Sequence, residues 1–214
     1  MRTPRALVAA LLFCCAVIPV HADDLFPPPW RGQPDTTMAH WTFDNQNNPL
    51  FPDQWNNPYG LITTPVLLGT YQYFPPPGVT GATSVGWAVL PPSFGSISFV
   101  IPNANEPPPH EKQVYIQIVY TGAINVQVTD PAGNVFAPFG PTSTPLVLPS
   151  GALYQSFSFT YPGCPPFETI RISNASASNN AFISQVVIDT ICIPTPTSSA
   201  ALALVGLAAA RRRR

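Results

Sequence analysis

The chain has 214 residues, 45% hydrophobic and only 9% charged, with 29 prolines. That length suits one domain of ordinary size once the two ends are set aside. Charge far below the globular norm of about 25%, combined with plentiful aromatics, excludes charged disorder. The prolines exclude a helical domain, since proline lacks an N–H and clashes within a helical turn.

Residues 1–22 read as a secretory signal peptide. Arg2 and Arg5 form a basic start, Ala6 to Val20 is apolar, and Val20-His21-Ala22 sets cleavage between Ala22 and Asp23. An uncleaved anchor is the weaker alternative, because the run falls short of the roughly 20 residues a spanning helix needs. A lipoprotein reading through Cys14 or Cys15 fails for want of a small residue before either cysteine. Export machinery and a signal peptidase are the partners this end implies.

Residues 23–193 read as one β domain. Strands are expected at Met38 to Phe43, Ser84 to Leu90, Ser96 to Ile101 and Gln113 to Tyr120, then at Ile124 to Thr129 and Val135-Phe136. More follow at Leu146 to Leu148, Tyr154 to Thr160, Glu168 to Ser173 and Ala181 to Ile191. Thr121-Gly122 predicts a hairpin between the fourth and fifth, and Asp130 to Asn134 a second turn. Phe157 and Phe159 alternate with Ser156, Ser158 and Thr160, the pattern of half-buried antiparallel strands. Many short strands between Pro/Gly/Asn turns predict an antiparallel β-sandwich or jelly roll, with a closed barrel as runner-up. The clusters Pro27–Pro29, Pro75–Pro77 and Pro107–Pro109 are read as stiff loops and edge guards rather than polyproline ligands.

With the signal removed, Cys164 and Cys192 remain, and two cysteines in an oxidising compartment most simply form one disulfide. No catalytic constellation stands out. His40 sits on an expected strand and His110 in an expected charged loop, without metal-ligand spacing. Asp35, Asp44, Asp53, Glu106, Glu111, Asp130, Glu168 and Asp189 are candidates for a glycosidase pair, though most lie in turns that favour Asp on local grounds. Asp189, flanked by strand residues, is read as holding a loop or a calcium ion. Asp44-Asn45-Gln46-Asn47-Asn48 offers oxygen ligands without the regular calcium-loop pattern. Sugar contacts are expected at Trp30, Arg31, Trp55, Asn57 and Tyr59, while Trp41 and Trp87 are assigned to the core.

Residues 194–214 form a distinct tail. Pro194-Thr195-Pro196 leads through Thr197 to Ser199 into the uncharged run Ala200 to Ala210, and Arg211, Arg212, Arg213 and Arg214 close the chain. An apolar segment ended by a cationic cluster stops in a membrane with the cluster inside. This short hydrophobic helix is brief enough for transient anchoring only. The order of Pro-x-Pro, small polar residues, short Ala/Leu/Gly segment and arginine cluster resembles the bacterial PEP-CTERM sorting tail, here with Thr195 where that family has glutamate. The resemblance implies processing by an exosortase-type enzyme in a Gram-negative envelope rich in extracellular polysaccharide. Pro29-Trp30-Arg31-Gly32 and Asn57-Pro58-Tyr59-Gly60 resemble segments of exported planctomycete-type proteins, more loosely.

Removing both ends leaves Arg31, Lys112 and Arg171 against ten acidic residues, a net charge of −7. A domain so acidic repels nucleic acid backbones, and no basic patch offsets this. The expectation is a non-catalytic cell-surface or matrix protein that binds extracellular polysaccharide and needs no cofactor. A secreted carbohydrate-active hydrolase and a purely structural surface protein are the alternatives.

Overall fold

The computed structural model describes residues 26–44, 50–74, 85–138 and 143–195. The expected signal peptide with its Ala22–Asp23 junction, Asn45 to Asn48 of the stretch weighed as calcium ligands, Pro75–Pro77, and the tail from Pro196 through Arg211–Arg214 lie outside the described residues. Among the described residues the fold is all-β and contains no helix.

The strands in chain order are β1 (Thr36–Trp41), β2 (Gln54–Asn56), β3 (Val66–Leu68), β4 (Thr70–Phe74), β5 (Val85–Leu90), β6 (Ser96–Pro102) and β7 (Glu106–Thr121). They continue with β8 (Ile124–Thr129), β9 (Val135–Phe136), β10 (Leu146–Val147), β11 (Leu153–Cys164), β12 (Phe167–Asn174) and β13 (Ala181–Pro194). The larger sheet runs β10-β11-β7-β13-β1-β2, with β5 joining β13 and β4 joining β5. The smaller runs β3-β6-β12-β8-β9, and the pairings throughout are antiparallel.

The sheets face each other across one apolar core, giving a sandwich-like body. Alternation decides which residues enter it. From β7 come Val114, Ile116 and Ile118, from β13 Val186 and Ile188, and from β11 Phe157 and Phe159. The smaller sheet answers with Ile97, Phe99 and Ile101 of β6, Val126 and Val128 of β8, and Ile170 and Ile172 of β12. Trp41 packs on Phe99 across the interface, ring centroids 4.6 Å apart. Each of these fully buried side chains stabilises the fold by roughly 1.5–3 kcal/mol relative to exposure.

Two expectations are corrected. β7 and β8 do not form a hairpin: β7 pairs with β11 and β13, whereas β8 pairs with β12 and β9. The link at Gly122 is a corner from one sheet to the other. Its φ is +89°, and a Cβ there would stand 2.9 Å from the Asn180 carbonyl oxygen. Both strands have one apolar face, and facing sheets bury such faces as well as neighbouring strands do, so alternation does not separate the two cases. His110 and the preceding prolines are the second correction. They lie in the first part of β7 rather than in a loop, with His110 opposite Pro194. The ladder to β11 is irregular here, shifting register at Pro162, Gly163 and Cys164, and such breaks are where strand prolines are tolerated. The turn at Asp130 to Asn134 does join β8 to β9 as a hairpin.

The outer face of the larger sheet is also covered. Residues 26–35 cross it as a strap: the Phe26 ring meets Tyr154 of β11, the Phe26 N–H donates to Gln117 Oε1 of β7, and Arg31 reaches Asp189 of β13. Beside the strap, Val119, Ala152 and Tyr154 form a small second core with Trp87 and Leu148 packed against it.

Candidate functional site

The residues expected to contact sugar divide sharply once placed. Trp55 stands on β2, the edge of the larger sheet, with 56% of its surface exposed. Tyr59 donates its hydroxyl to Asp35 at 2.8 Å, and burial together with that carboxylate pushes its pKa up to about 12. Asn57 is engaged on both sides of its amide: Nδ2 donates to the Pro102 carbonyl and Oδ1 accepts the Tyr59 N–H. Trp30 is half-buried in the strap. Arg31 is committed elsewhere, for Nε donates to Asp189 Oδ1 at 2.6 Å and Nη2 donates to Oδ2. Asp189 is fully buried, and burial raises its pKa although Arg31 pulls it down. Of the two roles read for Asp189, the structure supports the first: it holds the loop that carries Arg31.

The disulfide Cys164–Cys192 is present, with a Cα–Cα distance of 6.0 Å, and ties the end of β11 to the end of β13. Closing a loop of this size contributes on the order of 3 kcal/mol in the chain-entropy model. Next to it opens a cleft of 260 Å³ lined by Asn105, Glu106, Asp130, Tyr161 and Cys164. Glu106 and Asp130, both among the candidate carboxylates, thus share one cleft. Burial opposes ionisation of Asp130, but hydrogen bonds from the Asn134 side chain and backbone and from Ala132 and Gly133 hold its pKa below the ordinary value. Among the described residues no three His, Cys, Asp or Glu side chains group as a metal site. Asp44 accepts the Thr42 hydroxyl at 2.6 Å, and Asp53 accepts the Thr42 N–H at 2.7 Å. His40 is buried on β1 and lies 3.1 Å from the Gln185 side-chain amide.

Beneath the cleft, between the sheets, lies a polar cluster that the sequence reading did not assemble. Lys112 is the chain's only lysine. It occupies the core-facing row of β7, ahead of Val114 and Ile116, and is 1% exposed. Glu168, fully buried, occupies the equivalent row of β12 ahead of Ile170 and Ile172. Asn103 follows Ile101 at the end of β6, and Thr190 follows Ile188 on β13. Lys112 Nζ donates to Asn103 Oδ1 at 2.5 Å and to Thr190 Oγ1 at 2.8 Å. Asn103 Nδ2 donates to Glu168 Oε2, and Thr190 Oγ1 donates to Asn103 Oδ1 at 3.0 Å. Lys112 and Glu168 themselves are 3.9 Å apart, long for a charge-assisted hydrogen bond. Glu168 Oε1 and the Tyr161 hydroxyl are buried without a hydrogen bond of good geometry, although they lie close enough for the hydroxyl to favour the carboxylate. Burial lowers the Lys112 pKa to about 8 against the opposing pull of Glu168, and burial raises the Glu168 pKa to about 7 against Lys112 and Tyr161.

No protein-family model matches the chain, and no curated protein does. Among solved structures, the enzymatically active domain of tailspike protein 4 of bacteriophage CBA120 is similar at 13% identity and a TM-score of 0.24. The match covers 62% of this chain and 19% of that one, so the chain spans about a fifth of the phage structure's length. A likeness at that TM-score carries no argument about fold or chemistry.

Proposed function

We propose that this is an exported, non-catalytic protein of the bacterial cell surface or extracellular matrix, sorted by its PEP-CTERM-like tail and binding extracellular polysaccharide. The disulfide Cys164–Cys192 carries the reading, because such bonds persist in oxidising compartments and are rare in the cytosol. In this reading the signal peptide is cut at Ala22–Asp23. The C-terminal segment is a short helix that anchors the chain in the inner membrane until an exosortase-type enzyme cuts near Pro196. The sandwich is of the jelly-roll kind, and no cofactor is needed. Trp55 is the stacking surface for a sugar ring, with Asn57, Tyr59 and Trp30 in its neighbourhood along the chain. Arg31 contributes indirectly, through the strap it fastens.

The cleft shared by Glu106 and Asp130 favours a second reading, a secreted carbohydrate-active hydrolase using paired carboxylates. Purification from the native host, followed by C-terminal peptide mapping and incubation with the host's own polysaccharide, separates these readings. The proposal expects a species from Asp23 to near Pro196 that retains polysaccharide without shortening it. A mature envelope form still ending in Arg211–Arg214 overturns the sorting. Polysaccharide shortening that is lost in Asp130→Asn establishes the hydrolase. Neither retention nor shortening leaves the purely structural surface role.

A further inference from the structure

The cluster between the sheets has a chemistry that a simple ion pair does not need. An amine, a carboxamide and a carboxyl group are brought into contact in an apolar enclosure. The amine belongs to the only lysine in the chain, and the next core-facing residues on the three strands are the buried Ile101, Val114 and Ile170. If the cluster served only to neutralise two charges, the best arrangement would put Lys112 directly on Glu168. Instead Asn103 lies between them, accepting from Lys112 through Oδ1 and donating to Glu168 through Nδ2.

We propose that Lys112 and Asn103 become joined by an intramolecular isopeptide bond, Nζ to Cγ, with Glu168 transferring the protons and ammonia leaving. Nζ is 2.5 Å from Oδ1. A C=O bond is about 1.23 Å long, so Cγ lies within about 3.7 Å of Nζ, close to the roughly 3–3.5 Å of a near-attack geometry. The Nζ lone pair forms the new C–N bond while the carbonyl π electrons move onto Oδ1. Thr190, which donates to Oδ1 at 3.0 Å, stabilises the charge that develops there. Thr190 is itself in contact with the Thr37 hydroxyl at 2.7 Å. The leaving nitrogen is Nδ2, which already contacts Glu168 Oε2. The protonated carboxyl of Glu168 gives its proton to that nitrogen as the Cγ–Nδ2 bond breaks, and it recovers one from Nζ. Amine plus carboxamide thus become substituted amide plus ammonia, Glu168 returns to its starting state, and no oxidant or outside reactant is consumed.

Burial prepares both reacting partners. It favours the neutral, nucleophilic amine of Lys112 and the protonated acid of Glu168, the forms the reaction needs. The product also removes the cost of enclosing a charged ammonium, which supplies a direction for the reaction. The bond would run from the end of β6 in the smaller sheet to β7 in the larger one. It would fasten the sandwich at the same end as the disulfide.

Peptide mapping of the purified full chain, after reduction and denaturation, tests this directly. Cleavage after Glu111 separates Asn103 from Lys112 along the backbone. A bonded protein yields one branched peptide, lighter than its two parts together by one ammonia, and trypsin fails to cut after Lys112. Asn103→Asp should close with loss of water instead, giving a branched peptide identical in mass to the wild-type one. Glu168→Gln keeps the side-chain shape but cannot relay protons, and should give two linear peptides. Its Cys164–Cys192 disulfide, checked before reduction, reports that this variant has folded. Two linear wild-type peptides of full mass, from protein whose disulfide is formed, overturn the bond. A branched peptide from Glu168→Gln overturns the role given to Glu168.

Discussion

Arg31–Asp189 and Lys112–Glu168 are both cation–carboxylate pairs with a fully buried acid, yet they are built in opposite ways. On the outer face of the larger sheet, Arg31 meets both oxygens of Asp189 through a planar fork, with its own side chain 20% exposed. Between the sheets, Lys112 and Glu168 are 3.9 Å apart with an amide wedged between them, and one carboxyl oxygen lacks a good hydrogen bond. Arginine stays protonated wherever it is put, and its bidentate geometry satisfies a carboxylate completely. Lysine gives up its proton when buried, and then it is a nucleophile. The first pair is therefore a fastening and the second a poised reaction. The choice of cation is what separates them.

Breaking the fastening should produce the largest effect. Arg31→Ala leaves Asp189 buried without its partner, a loss that typically costs about 3–5 kcal/mol. It also frees the strap at residues 26–35. Urea denaturation should show the midpoint falling accordingly, and limited proteolysis should begin within the strap. An unchanged midpoint would mean that Asp189 is satisfied without Arg31 and that the contrast between the pairs is empty.

The dependence of stability on pH should separate the pairs more finely. The Glu168 pKa rises on folding from an ordinary 4.5 to about 7, so the folded state holds more protons between those values. Its stabilising contribution is complete below the lower value and is lost as pH climbs through the upper one. At about 1.4 kcal/mol per pKa unit this amounts to on the order of 3 kcal/mol, and Asp189, also raised, acts in the same direction. Thermal melts should therefore show a higher Tm near pH 5 than near pH 7.5. Lys112 has the opposite sign: a free amine with a folded pKa of about 8 against an ordinary 10.5 would return stability as pH rises through that window. An amide does not titrate. Wild type should thus lack the alkaline recovery, whereas Glu168→Gln should display it and keep only the acid-side effect of Asp189. Alkaline recovery in wild type would show that Lys112 remains a free amine.

The sandwich-like body was legible because apolar alternation in stretches such as Val114 to Tyr120 and Phe157 to Phe159 has one physical cause, a face against a core. The disulfide was legible from the cysteine count, because the expected signal peptide removes Cys14 and Cys15 and leaves one pair. Three short strands, β2, β3 and β4, were not: β2 and β3 are edge strands with little burial to leave a pattern, β2 being exposed at every residue, and β4 joins the larger sheet only through β5. The corner at Gly122 was hidden for a different reason. Alternation marks a buried face without saying which sheet buries it. The Lys112 cluster left a faint signal: a single lysine just before a strand whose alternate residues are Val114, Ile116 and Ile118. Extending that alternation back by two residues puts its side chain in the core. The reading of His110 to Lys112 as a charged loop stopped the strand too early. Glu168 carries the same mark, two residues before Ile170 and Ile172 on an expected strand, and Asn103 follows Ile97, Phe99 and Ile101 at the same spacing; alternation does not tell that β6 and β12 face β7 and so bring both to the lysine.

The smallest stability effect should come from Trp55, and it isolates binding from both buried pairs. With 56% of its surface exposed on the edge strand β2, it has little packing to lose. Trp55→Ala should shift stability by no more than about 0.5 kcal/mol, as exposed substitutions usually do. Retention of the host polysaccharide, measured by affinity electrophoresis, should nonetheless fall by roughly two- to tenfold, since a stacked aromatic contributes about 0.5–1.5 kcal/mol. Arg31→Ala gives the converse pattern, a large loss of stability with retention weakened only as far as the loosened strap disturbs the sheet edge. If Trp55→Ala retains polysaccharide fully while Arg31→Ala does not at temperatures where both are folded, the sugar-binding surface lies under or beside the strap. The Arg31–Asp189 pair would then be part of recognition as well as a fastening.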